Sequence, residues 1–184
     1  VQKKKANLIL ARQKQQIEIQ NSQLNQANEE ITAQRDEIAA QRDLVTEQKE
    51  HIEEQKKEIT DSINYAKRIQ TAVLPSGEYA KSILGEHFVL FKPKDIVSGD
   101  FYWGTRINEI LIVTVADCTG HGVPGAFMSM LGVSFLNEIV RKKEVTKASD
   151  VLDHLRESII EALQQKGDMG EQKDGMDIVL CALN

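Results

Sequence analysis

The feature that most constrains this chain is an apolar residue at every seventh position through its first third. The series comprises Leu10, Ile17, Leu24, Ile31, Ile38, Val45, Ile52 and Ile59. A strict seven-residue repeat keeps its apolar residues on one stripe when the helix winds left-handed around a partner helix. No Gly and no Pro occurs before Pro75, so no strong helix breaker interrupts the pattern. The sequence therefore predicts a coiled-coil helix over residues 1–74.

The seam of this helix is only half apolar. If the apolar series occupies heptad position a, position d holds Gln13, Gln20, Ala27, Gln34, Gln41, Gln48 and Gln55. If the series occupies position d, position a holds Asn21, Asn28, Arg35, Arg42, Lys49 and Lys56. Either register puts polar layers in the interface, which specify register at a cost in stability. We expect a parallel homodimer that carries a signal; a single solvated helix would leave the whole apolar series exposed.

The pattern changes after Ile59. Apolar residues follow at spacings of three and four, namely Ile63, Ala66, Ile69 and Val73, which is typical of a helix packed on a domain. Leu74-Pro75-Ser76-Gly77 should end the helix. We expect the turns from Ile63 to Leu74 to pack near the helix opened by Gly122, so that a shift of the coiled coil reaches the second domain, residues 75–184.

Charge and cysteine content narrow the class of protein. The net charge is −5, and the 12 basic and 12 acidic residues before Pro75 balance, so the excess acid lies beyond it. An acidic domain argues against nucleic acid as the main partner. Two Cys are too few for a disulfide framework, which fits a reducing, cytoplasmic location.

The ends of the chain suggest a longer context. Helical sequence starts at Val1 without a Met or a signal peptide, so we expect a fragment that follows an upstream sensor domain. No apolar run approaches the roughly 18 residues of a membrane span. The run Lys3-Lys4-Lys5 leaves open a membrane anchor upstream, although a solvated lysine face is the commoner reading of such a run.

Beyond Pro75 the sequence predicts an α+β domain with the element order β-β-β-α-α-β. The expected strands cover residues 87–92, 99–106, 109–116 and 176–183. The expected helices cover 122–141 and a segment from an N-cap at Ser149 to about Lys166, followed by a polar loop over 167–175. Because the last strand runs to the chain end, we expect an incomplete sheet.

Two acidic residues lie at strand ends. Asp100 opens the second expected strand, and Asp117 ends the most apolar one, just before Cys118-Thr119-Gly120-His121-Gly122. Carboxylates beside a Gly-rich turn offer the oxygen ligands that Mg²⁺ and Mn²⁺ prefer. Either residue alone is equally well explained by the preference of Asp for turns.

Two other interpretations of the glycine-rich turn are weaker. Gly120-x-Gly122-x-x-Gly125 resembles a dinucleotide-binding fingerprint, but the second parallel strand that the fingerprint requires does not follow. His121 lies four residues after Asp117 and lacks a second His or Cys at metal-ligand spacing. A local structural role is the better expectation for His121.

Several segments, taken in order, resemble one family. These are Ala66-Lys67-Arg68-Ile69-Gln70-Thr71-Ala72-Val73-Leu74-Pro75, Val97-Ser98-Gly99-Asp100-Phe101-Tyr102, the run from Val115 to Ala126, and Asp174-Gly175-Met176-Asp177-Ile178-Val179-Leu180-Cys181. Together they are similar to the SpoIIE/RsbU-type branch of the metal-dependent (protein phosphatase 2C-like, PPM) serine/threonine phosphatases. The resemblance runs from about Ala66 to the end and implies a truncated PPM α/β sandwich.

The resemblance also implies a chemistry. Two Mn²⁺ or Mg²⁺ ions would activate water without a covalent enzyme intermediate. Asp117 matches the Asp that contacts both ions, Asp100 matches an earlier acidic ligand, and Cys118 stands where a backbone carbonyl completes one coordination sphere. Substrates in the branch are phosphoserine and phosphothreonine proteins, often anti-sigma-factor antagonists.

Three departures from the family pattern matter. Many relatives have Gly at the position of Cys118, and His121 lies too far from Asp117 to match the acid of eukaryotic members. Two further metal-binding Asp residues of the family lie past Asn184, and Asp177 does not take their place. We therefore expect little turnover from this chain alone. The alternative is a non-catalytic, dimerising signalling module.

Overall fold

The computed structural model describes residues 2–166 and 173–184. Val1 and residues 167–172, which form most of the predicted polar loop, lie outside the described residues. The elements are α1 (Gln2–Val73), α2 (Gly77–Leu84), β1 (Phe101–Ile107), β2 (Ile110–Cys118), α3 (Gly122–Leu136), a π-helical segment (Asn137–Lys142), α4 (Ala148–Ala162) and β3 (Met176–Leu183). The prediction of an α+β chain with a long N-terminal helix is confirmed.

Contacts divide the chain into two units, Val1–Lys57 and Glu58–Asn184. The first unit contains only the part of α1 up to Lys57, and the apolar series there is exposed, from 52% at Ile31 to 70% at Leu10. Most helical stability in proteins comes from packing of an apolar stripe against a partner. On a single helix in water this stripe has no partner and gives no such stabilisation. The coiled coil remains a prediction that the structure leaves open.

The second unit is built on a three-stranded antiparallel sheet in the order β1-β2-β3. Phe101 pairs with Ala116 and Ile107 with Ile110, so that a tight turn joins β1 to β2. Because successive side chains point to opposite faces, Phe101, Trp103 and Ile112 share one face, and all three are buried. On the other face Val115 and Val179 are 59% and 64% exposed.

The helices cover the buried face of the sheet. The core joins Phe101, Trp103 and Ile112 to apolar residues of α3, the π-helical segment and α4, namely Met128, Val133, Leu136, Ile139, Val140, Val151, Leu155 and Ile159. Among the described residues one helix, Gly122–Lys142, is long and apolar enough to cross a membrane by length and composition. Half of its most apolar stretch is buried in the protein, which is ordinary for a core helix.

A cation–π cluster fixes the π-helical segment to the sheet. The guanidinium of Arg141 lies 5.5 Å from the Trp103 ring and 5.3 Å from the Tyr79 ring. Its Nη2 donates a 3.0 Å hydrogen bond to the Tyr79 hydroxyl, and Trp103 Nε1 donates to Asn137 Oδ1 at 3.1 Å. A planar cation that both stacks and donates can join three elements at once; here these are α2, β1 and the π-helical segment.

The expectation of a strand over residues 87–92 is wrong, because the segment forms no strand. Its Phe91 ring instead meets the Tyr102 ring edge-on, with centroids 5.7 Å apart. The order is therefore two strands, not three, before α3. Alternating hydrophobicity alone cannot distinguish a strand from an extended segment without a hydrogen-bonding partner.

Helix α2 is missing from the sequence prediction, which took Pro75 and Gly77 only as breakers. Ser76 is its N-cap, and the Ser76 hydroxyl accepts a 3.2 Å hydrogen bond from the Tyr79 amide. A Ser followed by an acid in the first turn is the usual signal of a helix start. The same Pro-Ser-Gly sequence thus ends one helix and begins the next.

The N-cap predicted at Ser149 is also wrong. Helix α4 begins at Ala148 with Lys147 as N-cap residue, and the Ser149 hydroxyl donates to the Asp150 side chain at 2.9 Å. The helix ends at Ala162, not near Lys166, and Gln164 there has a φ of +53°. That left-handed residue stops the helix in the absence of Gly.

Within the second unit, the end of α1 makes a buried polar contact. The Gln70 side chain is 5% exposed, and its Nε2 donates to the Ser98 carbonyl at 2.6 Å and to Ser129 Oγ at 2.8 Å. Gln70 Oε1 accepts the Ser98 N–H at 3.1 Å. The amide thus pairs with the Ser98 backbone as a neighbouring strand would and also reaches α3.

We expect Gln70→Ala to destabilise the second unit by about 1–3 kcal/mol, because the buried Ser98 N–H loses its acceptor. Urea denaturation followed by the fluorescence of Trp103, the single Trp of the chain, measures the change. Gln15→Ala, at an exposed position of the same helix outside either possible seam, is the control and should have almost no effect. Equal stability of the two variants would contradict the prediction.

Candidate metal centre

The sheet register brings the two predicted acids together. Asp100 immediately precedes Phe101, whose partner is Ala116, so Asp100 lies opposite Asp117. Directly opposed residues of antiparallel strands point to the same face at close distance. The Asp100 and Asp117 side chains are within hydrogen-bonding contact of each other. The structure thus places the carboxyl groups side by side at the ends of two adjacent strands.

The contact has an electrostatic consequence. Partial burial, and then the hydrogen bond to Asp117 and its negative charge, raise the pKa of Asp100 above the ordinary value. Two adjacent carboxylates repel each other when both are ionised. A divalent cation between the two groups would relieve that repulsion.

Close backbone packing fixes the loops that carry these acids. A Cβ on Gly125 would lie 2.7 Å from the Gly120 carbonyl oxygen and 3.0 Å from the Gly99 Cα. A Cβ on Gly99 would lie 2.8 Å from the same Gly120 oxygen. Gly120 itself has a φ of +87°, which L side chains rarely adopt. Three glycines therefore let the Asp100 loop, the turn after Asp117 and the start of α3 approach one another.

Cys118 can contribute only its backbone to such a centre. The side chain is 4% exposed and belongs to the core. Burial, with added repulsion from the charges of Asp117 and Asp100, raises the pKa of the Cys118 thiol to about 12. Since successive residues of β2 point to opposite faces of the sheet, the thiol faces the core and away from Asp117, which leaves the backbone carbonyl of Cys118 as its candidate ligand.

His121 bridges two loops beside the acids. Its Nδ1 lies 2.8 Å from Asp95 Oδ2, and the His121 side chain is 70% exposed. Asp95 belongs to the segment that leads to Asp100, so the pair links this segment to the turn after Asp117. The contact joins the two loops, and a structural role for His121 stays a prediction.

A third acid, Asp177 on β3, lies beside Asp117. It pairs directly with Asp117 in the register of β2 and β3, and Thr119 holds the start of β3 through its amide and hydroxyl. The Thr119 amide donates to the Gly175 carbonyl at 2.9 Å, and the Gly175 amide donates to the Thr119 hydroxyl at 3.0 Å. Asp100, Asp117 and Asp177 thus lie opposite one another in a row that crosses the exposed face of the sheet.

The donor set fits part of a divalent-cation site. Two touching carboxylates provide oxygen ligands of the kind that Mg²⁺ and Mn²⁺ prefer. In the described ranges 2–166 and 173–184, however, no group of three or more His, Cys, Asp or Glu is arranged to hold a metal ion. Asp177 therefore stands near the pair in register without completing a site.

The residues that position Asp100 escaped the sequence analysis. The Ser98 hydroxyl accepts the Asp100 amide at 3.0 Å, and Gln70 holds the Ser98 backbone. A glutamine within a helix otherwise rich in glutamine gives no signal of its own. The one available clue is its place on the part of α1 where the apolar period changes.

An antiparallel sheet with helices on one face and paired acids at its strand ends defines an α+β domain with a candidate cation site. No protein-family model matches this chain, and no curated protein matches it. A solved structure does, the SiaA-PP2C domain of Pseudomonas aeruginosa. The two share 34% sequence identity with a TM-score of 0.59, over 68% of this chain and 48% of that chain.

This likeness supports a structural relation to PP2C-type phosphatase domains, at the coarse level of the family resemblance. The chain spans about half the length of the SiaA-PP2C structure.

We expect Gly125→Ala to destabilise the domain by about 1–3 kcal/mol, because the added methyl meets backbone atoms that cannot move independently. Gly77→Ala is the matched control, since a Cβ at Gly77 meets nothing within 4 Å, and should be neutral or slightly stabilising. Urea denaturation monitored at Trp103 compares them. A Gly125→Ala chain as stable as the control would refute the packing account.

The two thiols should differ sharply in reactivity. Cys181 is exposed and Cys118 is buried, so at pH 8.5 iodoacetamide should modify Cys181 first and Cys118 only after denaturation. Since folding raises the pKa of Cys118 to about 12, the folded state retains a proton that the unfolded thiol releases at about pH 8.5. The free energy of unfolding should therefore fall as the pH rises from about 8.5 towards 12. Equal alkylation rates, read by peptide mass spectrometry, would contradict the burial of Cys118.

Proposed function

We propose that this chain acts in a metal-dependent protein phosphatase that hydrolyses phosphoserine and phosphothreonine. The observation that carries the proposal is the contact between the Asp100 and Asp117 carboxyl groups. It occurs in a chain whose fold resembles a PP2C domain. Two adjacent acids at strand ends on an exposed sheet face have no packing role, because neither side chain belongs to the core.

Asp100 and Asp117 would hold Mn²⁺ or Mg²⁺ through their carboxylates, with the Cys118 carbonyl as a further oxygen. When bound, such ions would supply neutralisation of phosphate charge and activation of a water molecule. The chain itself would orient the carboxylates. The Asp100 amide donates a hydrogen bond to the Ser98 hydroxyl, and the close approach of Gly99, Gly120 and Gly125 fixes the turn after Asp117. No Ser or Cys nucleophile is required by this chemistry.

The same observations support low activity for these residues alone. Among the described residues no group of three or more His, Cys, Asp or Glu could hold a metal ion. Weak cation binding follows, since affinity for hard cations grows with the number of charged oxygen ligands. We therefore propose that the 184-residue chain turns over phosphoproteins slowly.

Regulation through α1 has a physical route within the second unit. Gln70, near the end of α1, holds the backbone of Ser98, and Ser98 holds the amide of Asp100. Two hydrogen-bonded steps therefore separate the helix from a proposed ligand. A shift of α1 that withdraws Gln70 would release the Asp100 loop, and an upstream sensor in a bacterial signalling protein would act through such a shift. An anti-sigma-factor antagonist is the proposed substrate class.

We expect Asp117→Asn in the full-length natural protein to abolish Mn²⁺-dependent phosphate release from a phosphoserine protein, because one of two charged ligands is lost. The control is Asp150→Asn, a half-exposed acid in the first turn of α4 that pairs with Lys147, which should retain activity. Thermal unfolding without metal should show Asp117→Asn at least as stable as wild type, since like-charge repulsion is removed.

Two results would decide against the phosphatase. Full activity of the Asp117→Asn protein would show that hydrolysis does not need the carboxylate pair. Absence of any Mn²⁺-dependent hydrolysis in the wild-type protein would instead favour the non-catalytic, dimerising signalling module.

A further inference from the structure

The exposed apolar stripe of α1 carries charged side chains in a pattern that distinguishes its possible partners. With the apolar series at heptad position a, position e is basic over the middle of the helix, at Arg35, Arg42, Lys49 and Lys56. Position g, on the other flank, holds Glu30, Glu37, Leu44 and His51 over the same stretch, so the opposite charges lie at its first two heptads. All of these side chains lie at exposed positions.

We propose that α1 pairs with a second copy of this chain as a parallel, in-register coiled coil with the apolar series at position a. In that arrangement each g residue faces the e residue five positions later on the other helix. Glu30 would meet Arg35 of the partner subunit, and Glu37 would meet Arg42 of the partner subunit. Symmetry doubles each contact, so four attractive pairs flank the seam.

An antiparallel pair is disfavoured by the same residues. Antiparallel helices bring e against e and g against g, which sets basic residues against basic residues and glutamates against glutamates. Like charges across a helix interface repel and select against that orientation. The charge pattern therefore selects a parallel orientation.

The alternative register is disfavoured as well. With the apolar series at position d, Arg35, Arg42, Lys49 and Lys56 would occupy four successive a layers, each facing its own copy. A single charged a layer already costs stability, and four in succession would bury uncompensated like charges. With the series at a, the polar layers are neutral Gln pairs instead.

The charged side chains are free to change partners. Arg42 pairs with Asp43, one residue along, at 2.9 Å, and both side chains are more than 70% exposed. Glu37 accepts a 3.3 Å hydrogen bond from Gln41 of the same helix. Exposed contacts of this kind contribute little, so an interchain partner replaces them without appreciable cost. The inference rests on α1 alone and stands whether or not the chain is a phosphatase.

Cysteine crosslinking at three adjacent positions tests orientation and register together. In the full 184-residue chain with Cys181→Ser, we expect Gln41→Cys (position d) to form an oxidised dimer readily, Arg42→Cys (position e) more slowly, and Asp43→Cys (position f) hardly at all. Faster crosslinking of Arg42→Cys than of Gln41→Cys would establish the other register and overturn the proposal. So would a monomer by sedimentation at micromolar concentration.

Charge reversal gives an independent readout. Glu30→Lys with Glu37→Lys should raise the dimer dissociation constant at least about tenfold, because four attractive contacts become repulsive. Adding Arg35→Glu and Arg42→Glu to the same chain should restore the wild-type value. If the variant with all four substitutions keeps a raised dissociation constant while circular dichroism shows unchanged helicity, the proposed pairing is contradicted.

Discussion

The carboxyl groups of Asp100 and Asp117 lie side by side at the ends of two adjacent strands, and two such acids repel each other unless a proton or a cation lies between them. The pair lies away from the core of the domain. Such local conflicts between stability and arrangement are typical of functional sites. The remaining architecture of the second unit serves to keep the pair in place.

Two sets of interactions do this, and they act from opposite sides. The glycines at positions 99, 120 and 125 allow three backbone segments to approach closely, so the distance between the two acid-bearing loops is set by van der Waals contact. The Gln70 amide fixes the Ser98 backbone from the side of α1. Since packed cores and buried amide contacts have few alternative arrangements, a displacement of α1 would be transmitted rather than absorbed.

Periodicity in the sequence was sufficient to predict the long helix, the strands β1, β2 and β3, the helix opened by Gly122 and the acids at the strand ends. It failed where tertiary partners decide the outcome. Residues 87–92 alternate like a strand but find no strand to pair with, and α2 depends on the cap at Ser76. The adjacency of Asp100 and Asp117 follows from the pairing of Phe101 with Ala116, which no local pattern specifies. Gln70 was invisible for the same reason, since its partner lies 28 residues away.

We propose that Asp100 and Asp117 together bind a divalent cation. NMR line broadening of backbone amides during Mn²⁺ titration tests this binding directly, because paramagnetic broadening detects weak binding at a known place. The amides of Asp100, Asp117 and Cys118 should lose intensity at the lowest Mn²⁺ concentrations. Sharp signals there, while amides near Asp150 and Asp153 in α4 broaden first, would contradict it.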